Sequence, residues 1–207
     1  MLLWKYFGNT DFYADVLADE ITFGNPEALA AFYQFSSCLV LLGLVPALIV
    51  KLVLRERLAD YGLQFGNPLY TIRSFLLAAP LLVIGGYLAA MDPGMREAFP
   101  VNKQAGLATP FALHVCTYLL FYLGWEFHFR GFLQFGLSDS MGRTQALLIQ
   151  VMASSLLHIG RPFTETVAAI GAGILWGWLA YRTNSILSGM MQHILIGVVV
   201  DAVIVFS

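Results

Sequence analysis

The chain has 207 residues, 58% of them hydrophobic and only 12% charged, with a mean hydropathy of +0.73. A soluble domain is about a quarter charged, and one of this length still exposes much of its surface, so the apolar excess points to lipid as the solvent. The net charge of −2, from 11 basic and 13 acidic residues, provides no polybasic surface and argues against a nucleic-acid partner.

Residues 1–28 read as an N-terminal juxtamembrane segment that lies at the surface. Asp11, Asp15, Asp19 and Glu20 follow Lys5 closely, so there is no uninterrupted apolar stretch or small-residue cleavage site of the kind a signal peptide has. Residues 29–207 read as one membrane-embedded helical domain, with no repeat, low-complexity linker or second domain. Six apolar runs, at 29–51, 70–91, 106–136, 144–160, 165–182 and 185–206, approach or exceed the about 20 residues that a spanning helix needs. They are continuously apolar rather than alternating, which predicts helices and not barrel strands. The expected fold is all-α, a polytopic integral membrane bundle of about six transmembrane helices. Turn chemistry marks the joints at Gly66-Asn67-Pro68, Asp92-Pro93-Gly94, Gly160-Arg161-Pro162 and Thr183-Asn184-Ser185. Lys51, Arg55, Arg57 and Arg73 form the densest basic cluster, which places their loop in the cytoplasm and both termini outside. Cys38 and Cys116 lie within apolar runs, without metal-ligand spacing, and read as small buried hydrophobes.

Ionisable groups inside such runs cost about 2.5–3.5 kcal/mol on insertion scales, so they are expected to face the bundle interior and to have partners. Glu126 and Arg130 are four apart and share a helix face in the favourable acid-before-base order. His158 lies near the end of the fourth run and His193 midway along the sixth. Counting about 1.5 Å per residue from the loops near 140 and 183 puts Glu126 roughly 16–20 Å deep, His158 roughly 22 Å and His193 roughly 15 Å. Three polar groups from three helices are therefore expected to meet at one level. His128, two residues from Glu126, points to nearly the opposite face. His114 and His128 read as interhelical hydrogen-bonding residues. The Glu126–Arg130 pair alone is compatible with a purely structural role, and Arg161 with Glu165 forms an ordinary pair at a helix N-terminus.

In order along the chain, Glu126-x-x-x-Arg130-Gly131, then His158, then His193 resemble the CPBP family, the membrane CAAX-protease and bacteriocin-processing enzymes also called ABI proteins. The resemblance runs over residues 106–201, and Arg55 to Leu63 looks like the short amphipathic segment that follows the first span in such proteins. The family's first motif is Glu-Glu-x-x-x-Arg, and Trp125 stands where its first Glu belongs. Ser154 replaces an aromatic residue four before the second-motif His. Gly197 replaces the Asn or Asp four after the third-motif His.

The resemblance implies an intramembrane endopeptidase similar to type II CAAX prenyl proteases, in a bacterial cytoplasmic membrane. Its expected partners are membrane lipid and a peptide or lipidated protein substrate. On that reading Glu126 activates the water, His158 and His193 orient it and stabilise charge, and Arg130 positions Glu126 without a metal. Glu165 or Asp201 supplies a second acidic group. The alternative makes Glu126, His158 and His193 a two-His, one-carboxylate zinc site with an open fourth position. Two other classes stay open. One is a non-catalytic membrane scaffold, which Trp125 and Gly197 favour. The other is a small proton- or ion-coupled transporter, against which stands the lack of inverted repeats and paired broken helices.

Overall fold

The computed structural model describes residues 1–20 and 24–207. Among these the chain is a helical bundle with no β-strand, as an apolar sequence that must satisfy its own backbone in lipid requires. Three helices start where Asn or Asp precedes Pro. Asn25, Asn67 and Asp92 each accept hydrogen bonds from the first free backbone N–H groups, and Pro26, Pro68 and Pro93 occupy the first helical position. Helix Phe163–Thr183 ends on Asn184 in the left-handed conformation.

Four helices are long and apolar enough to cross a membrane by length and composition: Pro26–Leu54, Pro68–Ala89, Phe163–Thr183 and Leu187–Phe206. The other two expected runs take different forms. The third begins at Phe111 rather than 106, after a loop closed by Pro110, and continues through a π-helical turn at Phe127–Leu133 to Met141. Its His, Tyr, Trp, Glu and Arg content makes it a core element, with Glu126 to Gly131 all buried. The fourth, Arg143–Leu157, has 15 residues, and at about 1.5 Å per residue falls short of a hydrocarbon layer about 30 Å thick.

Helix 111–141 occupies the centre, between helix 26–54 on one side and helix 187–206 on the other. Helix 68–89 runs parallel to helix 187–206, from the Ser74–Ser188 hydroxyl contact (2.9 Å) up to Gly86 against Val199. It is the outermost element, with 6% of its apolar window buried, and presents its leucines to lipid. Helices 143–157 and 163–183 pack together and complete the ring. One end of the bundle is tied by Asn67 N–H to the Thr183 carbonyl (3.0 Å) and by Ile186 N–H to the Gly62 carbonyl (3.0 Å). A Cβ on Gly66 would stand 2.0 Å from that Thr183 carbonyl, so this turn needs glycine for space as well as for its positive φ.

Within the N-terminal segment 1–28, of which 21–23 lie outside the described residues, Trp4, Gly8 and Tyr13 are buried and the other described residues are exposed or half-buried. Trp4 is buried among Trp125, Phe129, Cys38 and Leu42, and the Lys5 ammonium donates to the Leu157 carbonyl (3.2 Å). The physical reason is the indole: it has an apolar slot to fill, while Leu2, Leu3 and Tyr6 on the same short helix stay exposed. Cys116 is exposed rather than buried, whereas Cys38 is buried, and both are free.

Helix 26–54 approaches helix 111–141 through glycines. A Cβ on Gly124 would meet the Cys38 carbonyl oxygen at 2.6 Å, and one on Gly43 would stand 3.3 Å from the Gly124 Cα. Small residues at a crossing are how membrane helices reach such separations. Gly124→Ala is therefore expected to cost about 1–3 kcal/mol, the range for overpacking a filled contact. Gly85→Ala, where an added Cβ meets nothing within 4 Å, should leave stability unchanged. Reversible unfolding in mixed micelles checks the pair.

Candidate active site

Helix 111–141 carries the centre of the site on one stripe. Tyr122, Glu126 and Arg130, spaced by four, lie on the face turned to helix 187–206. Glu126 is fully buried. Its Oε1 accepts from His193 Nδ1 (2.8 Å) and lies 3.2 Å from Arg130 Nη1. The Arg130 guanidinium stands 5.6 Å from the centre of the Trp176 ring, and that ring in turn packs 4.5 Å from His193. Trp176 Nε1 donates to Gln192 Oε1 (3.2 Å) and locks the indole in place. Because a carboxylate can only accept, His193 carries its proton on Nδ1 and has Nε2 left for other contacts.

A second polar group forms where helix 143–157 ends. The His158 ring turns back so that Nδ1 donates to the Ser154 carbonyl (2.8 Å), one of the acceptors a helix C-terminus leaves open. This leaves His158 Nε2 facing Glu165 Oε1 at 3.8 Å. Arg161 Nε donates to both Glu165 oxygens (3.2 and 3.3 Å), and the Arg161 guanidinium lies 4.7 Å from the centre of the Phe99 ring. The Trp125 ring meets His158 edge-on at 5.5 Å.

Both groups border one cavity of about 500 Å³. Its polar wall includes His158, Arg161, Glu165 and His193. Trp125, Phe121, Trp176 and Ile196 make the apolar wall, and Lys5, Asn9 and Met95 stand towards the end of the bundle away from the 62–67 turn. The side chains of His158, Glu165 and His193 keep 16, 18 and 20% of their surface exposed, against 0% for Glu126. That difference separates the roles: Glu126 stands behind His193 and is not part of the cavity wall, while Glu165 is.

The expected meeting of three groups at one level thus takes a different form. Glu126 and His193 do meet, and Arg130 joins them. His158 pairs instead with Glu165, across the same cavity. Glu126, expected to activate water, has Oε1 held by His193 and Arg130 and Oε2 buried without a hydrogen-bond partner, and it does not line this cavity. Glu165, expected only as an auxiliary acid, is the carboxylate on the wall. Asp201 is not there. It lies buried against His114 (Nε2 to Oδ2, 2.8 Å), since eight residues past His193 on a helix is about 12 Å further along the axis. His128 packs on Phe129 and Phe132, on the far face from Glu126, as its spacing predicts.

The zinc alternative is tested by the same geometry. Among the described residues no three His, Cys, Asp or Glu side chains converge as a metal would require. Glu126 and His193 bond each other directly, and the Arg130 cation occupies the same oxygen. These residues do not fit a resident zinc ion. Tyr122 was not legible as a site residue, although its spacing of four from Glu126 marks the same face. Its ring packs edge-on to His193 at 4.8 Å and lines the cavity.

The His114–Asp201 pair serves stability. Asp201→Ala is expected to lose about 1–3 kcal/mol by stranding the buried imidazole. The loss should be measurable as a lower unfolding midpoint in micelles, with ligand access to the cavity unaltered.

No curated protein and no solved structure matches the chain. Residues 107–199 do match the family model described as type II CAAX prenyl endopeptidase Rce1-like. The matched segment includes Glu126, Arg130, His158, Glu165 and His193, which is consistent with the CPBP family that the sequence resembles.

Proposed function

We propose that the protein is an intramembrane endopeptidase of the type II CAAX kind, with Glu165 as the general base. The observation that carries this is the 3.8 Å separation between His158 Nε2 and Glu165 Oε1. With Nδ1 committed to the Ser154 carbonyl, Nε2 of the neutral ring is an acceptor, and so is the carboxylate. Two acceptors this far apart suit a water that donates one proton to each, at about 2.8 Å from either. Such a water has its lone pairs free and aimed into the cavity.

Hydrolysis then runs as follows. The water oxygen attacks the peptide carbonyl carbon while Glu165 takes its proton, giving a tetrahedral oxyanion. The C–N bond breaks as Glu165 returns the proton to the leaving amine, and the products are a free carboxyl group and a free amine. His193, held by Glu126, offers Nε2 to the substrate's peptide group. Arg130 balances the Glu126 charge, and Arg161 holds both Glu165 oxygens towards the cavity. The apolar wall of Trp125, Phe121 and Trp176 suits a hydrophobic or lipid-bearing segment, so the substrate proposed is a membrane-associated peptide or lipidated protein tail.

A second reading rests on Trp125. The indole, packed between Trp4 (edge-on) and Phe129 (tilted), fills part of the cavity wall and suits a scaffold that holds a membrane peptide without cutting it. Purified protein in liposomes with membrane-tethered peptides separates the two. The enzyme reading expects cleavage that falls by about 10²–10⁴ in Glu165→Gln and in His158→Ala, the range for a positioned acid–base group. Saturable binding of the peptides by folded wild type with no cleavage favours the scaffold. Activity should persist after exhaustive chelation, and stoichiometric zinc that disappears in His193→Ala contradicts the metal-free mechanism.

A further inference from the structure

We infer that the Tyr122 hydroxyl is the hydrogen-bond donor that stabilises the oxyanion formed in this cavity, an inference that rests on the peptidase reading. The observation is steric. A Cβ built on Gly197 would stand 1.7 Å from the Tyr122 hydroxyl oxygen and 2.9 Å from Cζ. The hydroxyl therefore occupies the space that any side chain at position 197 would fill. Gly197 lies four residues after His193, on the same face of helix 187–206, and both residues line the cavity with Tyr122.

The chemistry of the neighbourhood leaves a task for this group. His193 Nδ1 is spent on Glu126, and His158 Nε2 and Glu165 are acceptors. Each helps to hold or deprotonate a water or to accept from a peptide N–H, and none of them in these states donates to a developing negative oxygen; of the guanidinium groups on the same wall, Arg161 is directed to Glu165 and Arg130 to Glu126. The Tyr122 O–H does donate, and it stands on the wall beside His193. Its ring is held by the tilted Tyr118 ring (4.5 Å between centroids) and by Ala31 and Phe35, so the donor is fixed before the charge develops. The phenol keeps its proton throughout; it only shares it with the oxyanion.

The test uses wild type, Tyr122→Phe, Gly197→Ala and the double variant in the liposome cleavage assay, with unfolding followed in parallel. Tyr122→Phe should lower kcat by about 10²–10³-fold, as removal of an oxyanion donor does elsewhere, with little change in KM. Gly197→Ala should lower kcat similarly and also reduce stability, because the methyl displaces the hydroxyl. Adding Tyr122→Phe to Gly197→Ala should recover part of that stability and none of the activity, which a purely structural tyrosine does not predict. Tyr122→Phe cleaving at the wild-type rate beside an inactive Glu165→Gln overturns the oxyanion role alone. Absence of cleavage by folded wild type overturns the peptidase reading and this role with it.

Discussion

A carboxylate with no exposed surface has to be met by its own protein, and the meeting of Glu126 with Arg130 and His193 organises the rest of this molecule. Removing one member of such a buried set leaves an uncompensated charge, at a cost of about 3–5 kcal/mol. The set therefore fixes the rotation of helix 111–141 against helix 187–206. It turns Tyr122 towards Gly197 on one level and brings Arg130 against Trp176 on the next. The same rotation sends Phe121, Trp125 and Phe129 the other way, into the aromatic cluster with Trp4. The cavity is the space left between these two stripes and the end of helix 143–157.

The chemistry proposed for this cavity sits beside the positions where the motif of the family that the chain resembles would place it. Trp125 occupies the place of an acid, and the acid on the wall is Glu165, from the first turn of helix 163–183, with His158 in contact with both residues. Gly197 occupies the place of a polar side chain, and the polar group filling that space is the Tyr122 hydroxyl. These two departures thus each have a neighbour of suitable chemistry beside a histidine, His158 for Trp125 and His193 for Gly197. That pairing is the physical argument for reading the departures as substitutions within a working site.

Much of this was legible in the sequence, for identifiable reasons. Apolar runs and Asn-Pro or Asp-Pro boundaries located the helices, because capping and the missing proline N–H act locally. The i, i+4 spacing gave the Glu126–Arg130 contact, and counting rise from two loops brought His193 to Glu126. The rest depended on tertiary placement. That Arg143–Leu157 is too short to span follows from where Gly142 and His158 end it, which hydropathy does not register. Glu165 looked like a helix N-terminal charge; its direction depends on how residues 158–162 turn, and Arg161 helps to set it. Asp201 shares a helix with His193 but not a level, and helical spacing alone did not reveal that His114 waits for it. The burial of Trp4 is a matter of fit against Trp125 and Leu42, which no local pattern encodes.

The central claim is that a carboxylate from helix 163–183 serves the role that position 125 would otherwise fill. The most direct measurement is cleavage of a tethered peptide by Glu165→Gln protein with and without a second change, Trp125→Glu. Both positions reach His158, so the account predicts that the single variant is inactive and that the new carboxylate restores measurable cleavage. Glu165→Gln protein that cleaves as fast as wild type would contradict it.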